Sequence, residues 1–82
     1  MYHVYIIHSS VTDKFYTGQT KDLNRRLEEH NRGKTSFLSK GMPWSLIYSK
    51  ECSLRTEALR LERFIKKRGA ARFLYDNNIA VG

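Results

Sequence analysis

The start of the chain has the composition of two short β-strands. Residues 2–8, YHVYIIH, and residues 14–18, KFYTG, are rich in aromatic and β-branched side chains, which favour strands. The polar residues 9–13 between them have the length of a hairpin loop, so the two strands are predicted to pair antiparallel. We expect Tyr5 to lie opposite Tyr16 in this ladder, which places both rings on the same side of the sheet.

An amphipathic helix is predicted directly after the second strand. Thr20 is a suitable N-cap and Gly33 a suitable C-terminal stop, so the helix is expected over residues 21–32. Leu23 and Leu27 lie one turn apart and give this helix an apolar stripe.

The second half of the chain contains a third strand and two further helices. The pattern predicts a polar loop over 34–43, a strand over 44–51, a helix from Leu54 to Arg68 that Gly69 ends, and a last short helix over 70–78. Ser53 is the expected N-cap of the long helix. The apolar stripe of that helix consists of Leu54, Ala58, Leu61 and Ile65.

The predicted elements define a fold class. Their order is β-β-α-β-α-α, which is typical of an α+β fold: a small three-stranded antiparallel sheet flanked by helices. A chain of 82 residues with 40% hydrophobic residues can build one modest core. We therefore expect residues 1–82 to form a single domain.

The charge balance points to a class of partner. Fifteen lysines and arginines stand against eight aspartates and glutamates, which gives a formal charge of +7. Such an excess attracts polyanions, and nucleic acid is the commonest polyanion that a small basic domain meets. The same surplus also serves solubility, so composition alone leaves both interpretations open.

Two further features narrow the setting. Cys52 is the only cysteine, which excludes an internal disulfide and a thiolate cluster for zinc. The apolar run at the start is shorter than a signal peptide or a membrane span requires. We expect a reducing, cytoplasmic setting and no membrane partner.

Four residues form a candidate catalytic set: Tyr5, Tyr16, Arg26 and His30. The spacing of four places Arg26 and His30 on one helix face. An arginine can hold phosphate oxygens with forked hydrogen bonds, and a histidine can accept a proton or poise a phenol to accept one. Taken singly, these side chains are better explained as cross-strand packing, a surface ion pair and a solvated helix residue, and only their combination favours a catalytic role.

The set resembles the GIY-YIG nuclease family. HVY at 3–5 stands where the family has its first tripeptide, and YTG at 16–18 stands where it has its second. Arg26 and His30 follow at the family's positions, and the helix at 56–67 is similar to the one that carries its metal-binding glutamate. The resemblance extends from Tyr2 to about Leu74.

The resemblance implies a metal-dependent endonuclease that acts on nucleic acid, DNA more than RNA, in repair, recombination or mobile elements. Periodicity leaves Glu57 and Glu62 open as the metal ligand, and the resemblance favours Glu62, holding Mg²⁺ or Mn²⁺. An exposed Glu62–Lys66 salt bridge is the alternative role of that carboxylate. Many family members also carry an asparagine about where this chain has Leu74.

The implied mechanism assigns a role to each candidate. Arg26 would clamp the phosphate, one of Tyr5 and Tyr16 would help deprotonate the attacking water with the assistance of His30, and the other tyrosine would orient the water or the phosphate. The alternative is a non-catalytic nucleic-acid-binding module, or a subunit that depends on a protein partner for specificity.

Basic side chains on the first two predicted helices are the expected contacts to flanking phosphates. The residues we select are Lys21, Arg25, Arg63, Lys66 and Lys67. In the loop between the first helix and the third strand, Phe37 or Trp44 could stack on a base, although Trp44 is better interpreted as a core residue.

Overall fold

The predicted order of elements is confirmed in the computed structural model, which describes residues 1–33 and 39–81. The strands are β1 (Tyr2–Ser9), β2 (Lys14–Thr20) and β3 (Trp44–Cys52), and the helices of the described residues are α1 (Leu23–Asn31), α2 (Arg55–Arg68) and α3 (Ala70–Asp76). The chain therefore has the α+β fold expected from its pattern. None of the helices in the described ranges is long and apolar enough to span a membrane.

The sheet is antiparallel throughout, with strand order β2-β1-β3 and β1 in the centre. Ser9 pairs with Lys14 at the hairpin end, so Tyr5 lies opposite Gly18 and Ile7 lies opposite Tyr16. The predicted Tyr5–Tyr16 pairing is therefore wrong by two residues, because β1 continues to Ser9. Successive side chains of a strand point to opposite faces of the sheet, so a register shift of two residues leaves both tyrosine rings on the same face.

The two faces of the sheet bury two different cores. Val4 and Ile6 pack with α2 and α3, through residues that include Ala58, Ile65 and Phe73. Tyr5, Ile7 and Trp44 face the other way, where Leu23 and Leu27 of α1 pack against them. Since successive residues of β1 point to opposite faces, α1 covers one face and α2 with α3 covers the other.

Helix α1 begins two residues later than predicted. Its N-cap is Asp22, whose carboxylate accepts a hydrogen bond from the Arg25 backbone N–H at 3.1 Å. Thr20 is therefore not the cap; its hydroxyl instead accepts from the Asp22 N–H at 3.1 Å. At the other end, Gly33 takes a φ of +72°, a left-handed conformation suited to the predicted stop.

Helix α2 also departs from the prediction at its start. The N-cap position is Leu54, in extended conformation and without a side-chain cap, so the predicted Ser53 cap is wrong. Leu54 is consequently exposed, whereas Ala58 and Ile65 of the predicted stripe are fully buried. Gly69, with a φ of +93°, ends the helix as expected, and its N–H donates to the Ile65 carbonyl at 2.8 Å.

The end of α1 is fixed to β3 by one side chain. The Asn31 Oδ1 accepts from the Trp44 N–H at 2.6 Å, and the Asn31 Nδ2 donates to the Trp44 carbonyl at 3.1 Å. Trp44 is buried, as its interpretation as a core residue predicted. This clamp sets the position of the preceding residue, His30, over the sheet.

Candidate active site

Three rings from β1, β2 and α1 meet on the α1 side of the sheet. The centroids of Tyr5 and Tyr16 lie 6.3 Å apart, those of Tyr5 and His30 5.9 Å, and those of Tyr16 and His30 5.2 Å. The Tyr5 hydroxyl and the His30 Nε2 share a hydrogen bond of 2.8 Å. Tyr5 is only 2% exposed and His30 only 4%, while Tyr16 is half-buried and forms the open side of the group.

Gly18 permits the close approach of the two tyrosines. A Cβ at this position would lie 2.7 Å from the Tyr5 hydroxyl oxygen and 3.1 Å from Cε1 of Tyr16. No side chain fits in that space without displacing one of the rings. The glycine opposite Tyr5 is therefore part of the construction of the site.

Both partners of the buried hydrogen bond are neutral near pH 7. Burial raises the pKa of Tyr5, and the neighbouring Tyr16 raises it further, while the positive charge of Arg26 opposes them. Burial also lowers the pKa of His30 below 6.5, and Arg26 lowers it further. A neutral imidazole can accept the phenol proton at Nε2 when its own proton is on Nδ1.

Arg26 lies on the outer surface of α1, one turn before His30. Its Nε is 3.9 Å from the Glu29 Oε1, whereas the backbone of Asp22, not its carboxylate, contacts Arg26. The guanidinium lines a polar depression of about 430 Å³ together with residues that include Lys21 and Arg25. Its exposure leaves it able to turn towards an anion at the cluster.

Glu62 approaches the cluster from the other face of the sheet. Its side chain is 15% exposed, its Oε2 lies 2.9 Å from the Lys66 Nζ, and its Oε1 accepts from the Gln19 Nε2 at 3.3 Å. Gln19 belongs to the edge strand β2, so the carboxylate lies beside that edge of the sheet. The negative charge of Glu62 is one of the influences that raise the pKa of Tyr5, so the two groups lie close enough to interact.

The structure also distinguishes the two candidate glutamates of α2. Glu57 is exposed in the first turn of the helix, whereas Glu62 is mostly buried beside Gln19. The Glu62–Lys66 salt bridge, expected as the alternative role of this carboxylate, is formed.

A divalent cation fits this donor set only as a largely hydrated ion. Among residues 1–33 and 39–81, no group of three or more histidine, cysteine or carboxylate side chains could hold a metal ion. One carboxylate oxygen with retained water suits Mg²⁺ and Mn²⁺, which bind through one or two carboxylates plus substrate phosphate. Glu62 is the residue that would hold such an ion, after releasing Lys66.

The predicted phosphate-binding cations do not share one site; Lys66 pairs with Glu62, and the other four lie apart from it, around the start of α1 and on α2. Lys21 holds its ammonium 5.3 Å from the centre of the Tyr2 ring, and Arg25 lies 4.0 Å from Glu29. Arg63 and Lys67 are exposed on α2, and Lys67 lines a second depression beside Phe64. Phe37, the other predicted stacking residue, lies outside the described part of the chain.

Some residues of the site carry little signal in the sequence. Gln19 is a single polar residue on a strand, and only the position of Glu62 gives it a role. The position expected for the asparagine is occupied by Leu74, which is buried in the core, and Asn77 is the C-cap of α3, where its amide donates to the Phe73 carbonyl at 2.8 Å.

Comparison with known proteins gives a consistent result. The family model of the GIY-YIG catalytic domain matches residues 1–76. A UPF0213 protein of Halobacterium salinarum is 38% identical over 68 residues, which are 82% of this chain and 87% of that protein. A UPF0213 protein of Staphylococcus aureus is 41% identical over 64 residues, which are 77% of each chain.

A solved structure is similar over almost the whole chain. It is the solution NMR structure of a UPF0213 protein from Bacillus halodurans, with a TM-score of 0.59 and 28% sequence identity. The similarity covers 95% of this chain and 84% of that one. The segment matched by the family model contains the three rings of the cluster and also Arg26 and Glu62.

Proposed function

The chain belongs to the GIY-YIG family, and on that premise we propose that it is an endonuclease that uses a divalent metal ion to hydrolyse phosphodiester bonds in nucleic acid, with DNA as the expected substrate. The observation that carries the proposal is the 2.8 Å hydrogen bond between the buried Tyr5 hydroxyl and His30, beside Tyr16, Arg26 and Glu62. A buried phenol–imidazole pair next to a cation and a carboxylate has the components of phosphodiester hydrolysis.

The Tyr5–His30 pair removes the proton of the attacking water. The water gives its proton to the Tyr5 oxygen while the phenol proton passes to the His30 Nε2, so that no free phenolate has to form. This route suits a tyrosine whose pKa is raised and a histidine whose pKa is lowered, since both begin neutral. The water oxygen then bonds to phosphorus as the bond to the leaving oxygen breaks.

The remaining residues act on the phosphate. Arg26 binds non-bridging oxygens of the scissile group, where forked N–H donors match the charge that the transition state spreads over them. Tyr16, half-buried at the open side of the cluster, orients the water or the phosphate with its hydroxyl. We assign the proton transfer to Tyr5 rather than Tyr16, because among the described residues Tyr5 alone has a hydrogen bond with His30.

Glu62 holds the metal ion in this proposal. When bound there, Mg²⁺ or Mn²⁺ supplies a positive charge that stabilises the scissile phosphate and the leaving oxygen. Gln19 would orient the carboxylate from the β2 edge, and the ammonium of Lys66, if not paired with Glu62, would be available to an adjacent phosphate.

A cleavage survey tests the proposal. Labelled linear, single-stranded, flapped and four-way-junction DNA, and the RNA counterparts, are incubated with Mg²⁺, Mn²⁺ or a chelator. We expect metal-dependent cutting by the natural protein and none by Glu62→Ala, with binding retained. Glu57→Ala is the matched control, because Glu57 is an exposed carboxylate on the same helix. Cutting by Glu62→Ala at the rate of the natural protein would contradict the assignment of Glu62 as the metal ligand.

A second candidate function is a nucleic-acid-binding module that does not cut, alone or with a protein partner. Two observations favour it: Lys66 pairs with Glu62 at 2.9 Å, and Leu74, a buried core residue, stands where the family resemblance leads us to expect an asparagine. Tight, salt-sensitive binding without cutting under either metal would support this candidate over the enzyme.

A further inference from the structure

A groove lies between β2 and the junction of α2 with α3, next to Tyr16. It has a volume of about 580 Å³, and we call it the α2–α3 groove. Its lining residues are Phe15, Tyr16, Thr17, Lys66, Arg68, Gly69, Ala70, Ala71 and Arg72. Tyr16 lines the groove at the edge strand β2, although its ring packs with Tyr5 and His30 on the α1 side of the sheet, and Lys66 connects the groove to Glu62.

Three basic residues contribute to the lining of the groove. Lys66, Arg68 and Arg72 line it, and no carboxylate does. Arg68 is held by Asp76, with two hydrogen bonds of 2.7 Å and 3.1 Å, whereas Arg72 has no ion pair among the described residues. At Gly69, a Cβ would have no atom within 4 Å, so the middle of the groove is open.

On the other side of Arg68 and Arg72, a second depression of about 400 Å³ contains an exposed aromatic ring. It is lined by Phe64 and Lys67 together with the same two arginines. Phe64 is 59% exposed, and its ring meets the buried Phe73 edge to face, with centroids 6.2 Å apart. The ring is therefore held in place from the core while much of it faces solvent among three cations.

We propose that an unpaired strand of nucleic acid leaves the active site through the α2–α3 groove and stacks a base on Phe64. The inference rests on the proposed nuclease function and names its substrate class: nucleic acid with an unpaired segment beside the scissile bond. Cations that follow a phosphate backbone, joined to an exposed aromatic ring, are the combination that recognises single strands irrespective of sequence.

The exposed ring of Phe64 favours one strand over two. A base that remains paired in a duplex stays stacked on its neighbours, so its face cannot meet a side chain on the protein surface. Stacking on Phe64 therefore requires an unpaired nucleotide.

Binding measured in a chelator separates this inference from catalysis. A fluorescent single-stranded oligonucleotide and the duplex of the same sequence are titrated with the natural protein, Phe64→Ala and Phe64→Trp. We expect Phe64→Ala to weaken single-strand binding about 10-fold and duplex binding less than about 2-fold. Phe64→Trp should restore the affinity. Tyr75→Ala is the matched control, since Tyr75 is 83% exposed on α3 and lines neither depression.

Two readouts guard against a variant that merely unfolds. Phe64→Leu keeps the apolar contact with Phe73 and should bind single strands as weakly as Phe64→Ala. The indole emission of Phe64→Trp should be quenched by the single strand and unaffected by an abasic strand of equal length. Equal loss of both substrates, affinity unchanged in Phe64→Ala, or quenching by the abasic strand would each overturn the inference.

The cleavage survey distinguishes the two proposals. Single-strand binding that depends on Phe64, without cutting, would rule out the nuclease function and support the proposed path of the strand. Cutting that does not depend on Phe64 would support the nuclease function and rule out the proposed path of the strand. If the natural protein bound no nucleic acid at all, both proposals would be ruled out.

Discussion

The Tyr5 hydroxyl and the His30 Nε2, from residues 25 positions apart, lie 2.8 Å apart in the interior of the protein. β1 supplies the phenol and the last turn of α1 supplies the imidazole, and the Asn31–Trp44 bonds fix that turn to β3. Burial raises the pKa of Tyr5 and lowers the pKa of His30, so the bond joins two neutral groups near pH 7. This pair is the centre of the proposed proton transfer.

Removal of the Tyr5 hydroxyl should destabilise the fold. Tyr5→Phe leaves the His30 Nε2 buried without its partner, which costs about 1–3 kcal/mol in the free energy of unfolding. Tyr16→Phe is the comparison, because the Tyr16 hydroxyl has no hydrogen bond within the described ranges and its loss should cost less than about 0.5 kcal/mol. Urea unfolding monitored by circular dichroism measures both; equal values would contradict the importance of the buried bond.

Acid should weaken the fold through His30. Because the folded pKa of His30 lies below its ordinary value of 6.5, the unfolded chain takes up a proton there before the folded chain does. The free energy of unfolding should therefore fall as the pH drops below about 6.5. Above that pH the contribution of the neutral His30 to stability is complete. Urea titrations at several pH values should show a shallower acid slope for His30→Gln than for the natural protein. An unchanged slope would contradict the burial of a neutral imidazole.

Alkali should act on the fold through Tyr5 in the opposite direction. The folded pKa of Tyr5 lies above its ordinary value of 10.0, so the unfolded chain loses the phenol proton first as the pH rises. The stabilisation is complete below pH 10 and declines above it. Tyr5→Phe, which has no proton to lose, should show less of this decline in denaturant titrations between pH 9 and 11. A decline as steep as that of the natural protein would speak against the pKa shift.

A methyl group at Gly18 should disturb the two tyrosines. The added Cβ in Gly18→Ala would lie 2.7 Å from the Tyr5 hydroxyl oxygen, so one of the rings must move, at a cost of about 1–3 kcal/mol. The rate of cleavage should fall by more than the loss of stability explains. Ala58→Gly, a destabilising change in the buried face of α2, provides the comparison at similar stability. Equal residual activity in the two variants would show that the approach of the tyrosines is unimportant.

Lys66 should compete with a metal ion for Glu62. The two side chains lie 2.9 Å apart, the Lys66 side chain is 58% exposed, and the Gln19 amide donates to the mostly buried Glu62 carboxylate without it, so Lys66→Met should fold. Removal of the competing cation should strengthen Mn²⁺ binding several-fold, measured by titration calorimetry. Lys67→Met is the control, because no ion pair of Lys67 is formed in the described part of the chain. Unchanged or weaker Mn²⁺ binding in Lys66→Met would argue against Glu62 as the ligand.

The fold was largely accessible from the pattern of residues, because each element has a local signal. The β-branched run of β1, the leucines of α1 and the glycines that end α1 and α2 sufficed for the order of elements. The helix starts were less predictable. Thr20 and Asp22 are both good caps, and only the path of the chain from β2 selects Asp22.

The site was accessible in part. The spacing of Arg26 and His30 predicts a shared helix face, and the period of two in β1 and β2 predicts a shared sheet face for the tyrosines. Neither periodicity could decide between Glu57 and Glu62, since that depends on how α2 crosses the sheet. The Tyr5–His30 bond and the role of Gln19 arise from tertiary contacts between distant residues, which no local pattern encodes.

The most direct test of the account is the single-turnover rate of cleavage of flapped DNA in Mn²⁺ by the natural protein, Tyr5→Phe, His30→Gln and the double variant. General acid–base catalysis of this kind contributes about 10²–10⁴-fold, so each single variant should be slower by at least about 100-fold with binding retained. Because the two residues move one proton as a unit, the double variant should be no slower than the singles.

Tyr48→Phe is the matched control, as Tyr48 packs on Phe73 at the opposite face of the sheet. It should cut at the natural rate. Cutting by Tyr5→Phe at the rate of Tyr48→Phe, or losses in the single variants that multiply in the double, would contradict the Tyr5–His30 proton transfer.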